Sequence, residues 1–197
     1  DAAFGLGYAH AEDDFKTIQE VLLALRGNLA SVKGKDAAAV DYLSGLLRVW
    51  KTVEENYDSQ LSEDIKLVCE GYADGINRYI EKHPENAIKE LYPVSGKDIV
   101  AGFVFRTPLM FDFDWYVRQL LKDKKPTFSD YSQQNSEFSM YGSNVFAINS
   151  NKSEDGHTRI AINSHQPWTG PVAWYEAHIH SNQGWNMSGG LFPGSPV

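Results

Sequence analysis

Residues 141–150 read YGSNVFAINS, and at this stretch the spacing of the apolar residues changes. Before it, apolar residues recur every three or four positions, as in Phe15, Ile18 and Leu22, which is typical of amphipathic helices. From Asn144 onward they alternate with polar residues, which is typical of strands. Helices first and strands afterwards indicate an α+β fold class rather than alternating βαβ units.

The apolar spacing also predicts where the helices lie. We expect helices at about residues 8–30, at 40–53 after Asp36 as N-cap, at 65–80 before Pro84, and in two stretches after Ser95 that separate near Pro108.

The second half of the sequence predicts a linker followed by strands. Residues 122–142 are rich in Lys, Ser, Gln and Asn and have no helical period, so we expect an exposed linker. Strands are expected over Asn144–Asn149 and Thr158–Asn163, with a turn at Asp155-Gly156. The pattern extends over Trp174–His180 and Trp185–Ser188.

Composition excludes several classes of protein. The 197 residues carry a formal net charge of −8, so the basic face that nucleic-acid binding needs is lacking. The single cysteine, Cys69, lies in an apolar helical pattern and predicts an inert buried thiol rather than a disulfide or a Cys-based metal site. No apolar run approaches the roughly 18 residues of a membrane span.

Ser143 is either an ordinary turn residue before a strand or a nucleophile. A serine hydroxyl needs a base, and a free α-amino group, with a pKa of roughly 8, is one that every chain end provides. An N-terminal serine carries both groups, but the 142–143 peptide bond must first be broken. Gly142 permits strained backbone angles at that bond. Because Gly142 is still joined to Ser143, the sequence is that of an uncut precursor.

Six short sequence motifs occur in order along the chain: GLGYAHAEDD at 5–14, EGYADGINRYI at 70–80, SN at 143–144, NSHQPW at 163–168, WYEAHI at 174–179 and GGLFPGSPV at 189–197. Together they resemble the penicillin acylase family. These N-terminal-nucleophile hydrolases include penicillin, cephalosporin and acyl-homoserine-lactone acylases. The resemblance runs nearly end to end.

The resemblance implies a zymogen that cuts itself at Gly142-Ser143. Residues 1–125 would be a helical α chain, 126–142 a removed spacer, and 143–197 the start of a longer β chain that begins an αββα sandwich. Ser143 would be the catalytic nucleophile, and His165 would tune its amine or hydroxyl. The stretch 163–168 departs from the usual family pattern in having serine where relatives have the first proline.

The resemblance also implies the substrate site and its chemistry. Trp168, Trp174 and Tyr175 would shape an acyl pocket together with Met110 and Phe111. No cofactor is needed for the chemistry. The donors of the oxyanion hole are expected beyond residue 197, so this piece alone should be inactive.

Metal sites have separate candidates. The resemblance implies a structural calcium, for which Asp112 and Asp114 are the nearest carboxylates by position. His178 and His180 share one face of a predicted strand, a spacing that is compatible with zinc, but no third ligand is evident and hydrogen-bonded strand histidines are the favoured explanation. The polar cluster at 10–14 is expected to cap the start of the first helix.

The functional hypothesis is an amide hydrolase that removes an acyl group from an amine, as in β-lactam or acyl-homoserine-lactone acylases. The resemblance implies a small acylated amine as substrate, the rest of the β chain as partner, a periplasmic or secreted location, and a link to antibiotic biosynthesis. One alternative is a non-catalytic binding or scaffold domain that keeps the fold. Another is a sugar-binding protein using Trp168, Trp174 and Trp185.

Overall fold

The computed structural model describes residues 1–111, 113–124, 127 and 142–196, and it confirms the α+β fold class. The helices are α1 (Ala2–Leu25), α2 (Ala30–Lys33), α3 (Ala38–Leu46), α4 (Val49–Gln60), α5 (Glu63–Lys82), α6 (Gly96–Leu109) and α7 (Phe113–Leu120). Single 3-10 turns lie at Lys35–Ala37, Pro84–Asn86, Lys89–Leu91 and Ser150–Lys152. The strands are β1 (Ser143–Ile148), β2 (Arg159–Ser164), β3 (Tyr175–His180) and β4 (Asn186–Leu191).

Helices α1 and α5 approach each other closely at two glycines. A Cβ atom on Gly7 would lie 2.1 Å from the carbonyl oxygen of Tyr72, and one on Gly75 would lie 2.2 Å from that of Phe4. Only glycine therefore permits the two backbones to lie this close. The core of the helical part surrounds this contact and includes Leu22, Leu25, Tyr72, Ile76, Ile99 and Phe105.

Helix α1 starts earlier than the predicted 8–30 and is kinked. Asp14 has the non-helical angles φ −143° and ψ 54°. Its carboxylate accepts a hydrogen bond of 3.3 Å from the backbone N–H of Thr17, as an N-cap does, so the helix restarts there. His10, Glu12 and Asp13 lie inside the helix, so the prediction that the cluster at 10–14 caps the helix start is wrong. Asp14 alone makes a capping contact, at the point where the helix restarts after the kink.

The stripe predicted as one helix over 40–53 is two helices, α3 and α4. Between them Arg48 has left-handed backbone angles, φ 52° and ψ 40°, which interrupt a right-handed helix. Leu43 and Val49 are both buried, so the apolar spacing stays in phase across the break. Asp36 lies in the preceding 3-10 turn and is not the N-cap of α3.

Helix α5 follows the prediction, whereas α6 is longer than predicted. Helix α5 begins after the N-cap Ser62 and ends before Pro84. Helix α6 begins at a capping box on Ser95 but continues through Pro108 to Leu109. The predicted division into two helices is confirmed, but the break lies between Leu109 and Phe113, a little after Pro108, because a proline in the last turn removes only one of the hydrogen bonds of the helix.

A buried ion pair connects α6 to the residue that ends α1. Asp98, which is 3% exposed, accepts hydrogen bonds from Arg26 Nη2 at 2.7 Å and Nε at 2.9 Å. Its other oxygen accepts from the backbone N–H of Ser95 at 2.9 Å. Arg26 Nη1 also donates to the carbonyl of Leu91 at 2.8 Å. These contacts fix the start of α6 against α1.

The strands form two separate antiparallel hairpins close to the predicted positions. Strand β1 pairs with β2, with Ser143 opposite Ser164, and the predicted turn between them includes Gly156 at φ +72°. All side chains of β1 are exposed. Strand β3 pairs with β4, with Tyr175 opposite Leu191, and alternate β3 residues are half-buried against α1.

Three other predictions concern the whole chain. Cys69 is buried, as predicted. In the part of the chain that the structure describes, no helix combines the length and the hydropathy that crossing a bilayer requires. The proposed spacer, 126–142, falls outside the described residues except at 127 and 142, so the division into 1–125, spacer and 143–197 stays a prediction.

Candidate active site

Ser143 lies at the open end of the β1–β2 hairpin, where the chain enters β1. Because Ser143 pairs with Ser164, the residues just before and just after this pair also meet. The backbone N–H of His165 donates a hydrogen bond of 2.9 Å to the carbonyl oxygen of Gly142. That carbonyl belongs to the peptide bond that joins Gly142 to Ser143.

The imidazole of His165 also lies at this end of the hairpin. Its Nε2 is 3.0 Å from the side-chain nitrogen of Asn144, and its Nδ1 is 3.7 Å from where a Cβ on Gly142 would be. An amide nitrogen only donates, so in the assigned orientation of the Asn144 side chain Nε2 is the acceptor. The proton of the neutral ring then sits on Nδ1, the nitrogen that faces Gly142.

The structure brings Gly142, Ser143 and His165 together and adds Asn144, while the catalytic roles of Ser143 and His165 stay predictions. The hydrogen bond recorded for the His165 ring goes to Asn144 and not to the Ser143 hydroxyl. Sequence reasoning missed this role of Asn144. The signal available was its position next to Ser143, in register with Asn163, which is two residues before His165 and so on the same face of the hairpin.

Three predicted pocket residues line a groove beside α1. The groove has a volume of about 450 Å³ and contains Trp168, Trp174 and Tyr175 together with polar residues of α1 such as Lys16 and Glu20. The Trp168 side chain is fully exposed and that of Trp174 is 46% exposed, so both offer apolar surface. An open groove with aromatic walls suits an acyl chain.

A second groove lies between the two hairpins. Its volume is about 410 Å³, and Ser164 from β2 and Glu176 from β3 line opposite sides of it. Trp174 lines both grooves and stacks on Phe192, with ring centroids 4.8 Å apart. Since Ser164 pairs with Ser143, this groove adjoins the residue opposite the candidate nucleophile.

Tyr175 holds β3 against α1. Its ring stacks on that of His10 with centroids 3.8 Å apart, and its hydroxyl donates to Asp13 Oδ2 at 2.7 Å. Burial, together with the hydrogen bond to Asp13, raises the pKa of Tyr175 to about 12. Tyr175 is thus a neutral packing residue at the edge of the first groove.

The two other predicted pocket residues lie elsewhere. Met110 and Phe111 follow α6 and are 46% and 66% exposed. Neither is among the described residues that line the two grooves. Their assignment to the acyl pocket stays a prediction.

The metal candidates stay predictions as well. Asp112 and the side chain of Asp114 lie outside the described residues, so the calcium hypothesis is untested. His178 Nε2 is 2.6 Å from Asn186 Oδ1, which gives that histidine a hydrogen-bonded role on its strand. The described residues contain no group of three or more His, Cys, Asp or Glu side chains placed to hold a metal ion.

Burial lowers the pKa of a histidine outside these grooves. His10 is fully buried, and Nδ1 lies 2.7 Å from the hydroxyl of Tyr72. Desolvation, followed by the nearby Arg106 charge, lowers the pKa of His10 to about 4. The ring is therefore neutral at physiological pH. Sequence reasoning placed His10 in a capping cluster and missed this contact, because it depends on how α1 packs on α5.

Comparison with known proteins identifies relatives along the whole chain. The family model described as penicillin amidase matches residues 1–197. The chain is 23% identical to the acyl-homoserine lactone acylase PvdQ of Pseudomonas fluorescens and 24% identical to PvdQ of Pseudomonas putida. Each match covers 98% of this chain and 28% of the relative, so the chain spans about a quarter of their length.

A further relative matches over a shorter stretch. The acyl-homoserine lactone acylase QuiP of Pseudomonas fluorescens is 35% identical over 46% of this chain and 11% of its own length. The match of the family model to all 197 residues identifies the family. The chain belongs to the penicillin amidase family.

Proposed function

We propose that the chain is a part of an N-terminal serine amidohydrolase, an acylase that hydrolyses the amide bond between an acyl group and an amine. Membership of the family supports a hydrolase of this class. The observation that carries the proposal is the 2.9 Å hydrogen bond from the His165 backbone to the Gly142 carbonyl, directly before Ser143.

Ser143 first cuts the chain in which it lies. Its Oγ attacks the carbonyl carbon of Gly142, and the hydroxyl proton passes to the departing amide nitrogen. The new C–O bond is an ester, the C–N bond breaks, and the α-amine of Ser143 becomes free. Water then hydrolyses the ester. The backbone N–H of His165 stabilises the negative charge that develops on the Gly142 oxygen, as an oxyanion-hole donor does.

The freed amine then serves catalysis. With a pKa of roughly 8 it accepts the proton of the Ser143 hydroxyl, directly or through water, as that hydroxyl attacks a substrate amide. An acyl-enzyme ester forms, the amine product leaves, and water releases the acid. The imidazole of His165, held by Asn144, orients the amine, since the structure gives it a hydrogen-bonded position beside Gly142.

The substrate is an acylated amine whose acyl chain lies along the groove of Trp168 and Trp174. Relatives that carry the name acyl-homoserine lactone acylase favour that substrate class over β-lactam amides. The remainder of the β chain supplies the oxyanion donors for the substrate, so residues 1–197 alone are inactive. Export to the periplasm and a calcium site near Asp112 and Asp114 belong to the same proposal.

The test is N-terminal sequencing and intact mass of the full-length protein, combined with an acylase assay. We expect a mature chain that begins at Ser143 and hydrolyses a series of acyl-homoserine lactones. Ser143→Ala should remain uncut and inactive, whereas Ser143→Cys should still be cut. A mature chain that begins elsewhere, or activity that survives Ser143→Ala, would refute the proposed role of Ser143. A wild-type protein that stays uncut and inactive would refute the whole proposal and favour a non-catalytic domain.

A further inference from the structure

The segment that follows β4 is irregular yet buried. Pro193, Gly194, Ser195 and Pro196 all lie in the interior, and Ser195 is 0% exposed. Connecting segments usually run over the surface, because their backbone polar groups need partners. The helical part provides partners for this segment, and they come from two helices, α5 and α6.

Arg106 of α6 is the first partner. It is 2% exposed, and its Nη2 donates a hydrogen bond to the carbonyl oxygen of Pro193. The guanidinium carbon lies 5.9 Å from the centre of the Phe192 ring. A Cβ on Gly194, which has φ +77°, would lie 3.4 Å from Nη2. The guanidinium therefore fits closely against three consecutive residues of the segment.

Tyr72 of α5 is the second partner. Its side chain is 0% exposed, and the backbone N–H groups of Gly194 and Ser195 lie near its phenol oxygen, where they partly offset the rise that burial causes in its pKa. The same oxygen lies 2.7 Å from Nδ1 of His10. Burial raises the pKa of Tyr72, so the phenol is neutral and acts as a hydrogen-bonding group, not as an ion.

A buried arginine is an expensive means of packing. Burial lowers the pKa of Arg106 to about 10, which still leaves it charged at neutral pH. Within the described residues its Nε and Nη1 have no hydrogen-bond acceptor. Since an apolar side chain of similar volume would fill the space without desolvating a charge, packing alone does not account for Arg106. A charge-assisted bond to a backbone carbonyl accounts for it better, because such bonds are stronger than neutral ones.

We propose that Arg106 and Tyr72 form a clamp that holds residues 192–195 against α5 and α6, and that this clamp keeps the two chains together after the bond 142–143 is cut. The role of the clamp in keeping the two chains together rests on the proposed function, because it requires the cut at 142–143. Once that bond is broken, the part of the chain from Ser143 onward stays attached only by non-covalent contacts. Tyr72 and Arg106 precede the cut in the sequence, whereas residues 192–195, which they hold, follow it. The clamp would therefore connect the two chains.

The first experiment follows the processed full-length protein by size-exclusion chromatography in increasing urea. Arg106→Met should lower the urea concentration at which the two chains separate, and Arg106→Lys, which keeps the charge but not the planar fork, should fall between Arg106→Met and the wild type. Arg159→Met is the matched control, because Arg159 is exposed on β2 and pairs with Asp155 of the same hairpin. Separation of all variants at the wild-type urea concentration would overturn the proposal that the clamp joins the chains.

The second experiment does not need the cut. In the full-length Ser143→Ala protein, Tyr72→Phe removes the phenol oxygen that lies near the Gly194 and Ser195 amides and 2.7 Å from His10 Nδ1. Hydrogen exchange of these two amides should then become about 10-fold faster, the change expected when the segment loses the equivalent of about one hydrogen bond. Unchanged exchange would overturn the clamp itself. If the wild-type protein is never cut, the proposed function fails, whereas this measurement still decides whether the clamp exists.

Discussion

The close contact between α1 and α5 makes a sharp prediction for Gly7→Ala. The added Cβ would meet the carbonyl oxygen of Tyr72 at 2.1 Å. An ordinary contact needs more than 3 Å, so the helices must separate by about 1 Å where they are most tightly packed. Neither backbone can move alone, because both belong to long helices that share one core.

Two opposing terms set the magnitude of this change. Alanine in place of glycine favours a helix by about 1 kcal/mol. Forcing an extra carbon into a packed interface typically costs about 1–3 kcal/mol, and here the obstacle is backbone rather than a flexible side chain. We expect Gly7→Ala to lower the free energy of unfolding by about 2 kcal/mol in net terms, and the melting temperature by about 4–8 °C.

Gly5→Ala is the matched control, in the same helix and with the same chemical change. A Cβ on Gly5 would meet nothing within 4 Å, so only the helix-propensity term remains. This variant should be more stable than the wild type by up to about 1 kcal/mol. Urea unfolding followed by far-ultraviolet circular dichroism measures both variants. Equal stabilities of Gly5→Ala and Gly7→Ala would refute the packing argument.

Three further predictions follow from the hydrogen-bonded groups. Because burial lowers the His10 pKa from 6.5 to about 4, the unfolded chain takes up the proton first, so wild-type stability falls as the pH drops from 6.5 toward 4 and levels off below 4. Urea titrations measure the free energy of unfolding at neutral pH and near pH 4.5. Between these two pH values the wild type should lose about 2–3 kcal/mol more than His10→Gln does. Asp98→Ala leaves Arg26 without its carboxylate and should reduce the free energy of unfolding by about 3 kcal/mol in thermal or urea unfolding. Asn144→Ala in the full-length protein removes the side chain that holds His165, whose backbone N–H donates to the Gly142 carbonyl. It should therefore slow the cut at 142–143 about 10-fold, measured as precursor remaining with time on denaturing gels.

A specific result would contradict each of these three predictions. An equal pH dependence of wild type and His10→Gln would show that the buried ring is not the source of the lost stability. The exposed pair Arg78–Glu81 is the comparison for Asp98, since Glu81→Ala should cost less than about 1 kcal/mol. A loss that small for Asp98→Ala would contradict its buried role. Asn163→Ala, the cross-strand neighbour of Asn144, should leave the rate of cutting close to that of the wild type.

The sequence predicted correctly those helices whose ends are set by residues close by in the chain, such as an N-cap or a proline. Helix α5 matches because Ser62 and Pro84 set its ends through capping and sterics within the chain itself. The break at Arg48 was missed because the apolar spacing continues in phase across it, and only the left-handed angles interrupt the helix. The start of α1 was missed because its first turn has few periodic apolar residues and is helical through its packing on α5.

The sequence likewise predicted some residues of the candidate site and missed others. Gly142 and His165 were predicted as companions of Ser143 from family motifs, and the hairpin register brings them together. The bond between Asn144 and His165 depends on side-chain orientation that spacing does not encode. Arg106 was missed because a lone arginine in an apolar helix looks like an exposed charge until its neighbours in space are known.

The pairing of Ser143 with Ser164 has a consequence for how the protein is made. A slip of the β1–β2 register by one residue would turn Ser143 to the other face and move Gly142 away from the His165 amide. If the chain cuts itself as proposed, only molecules whose hairpin has closed in the correct register would cut the bond. The cut would then be an irreversible step that follows only correct folding. The fraction of uncut chains in a preparation would measure the fraction of molecules that misfolded.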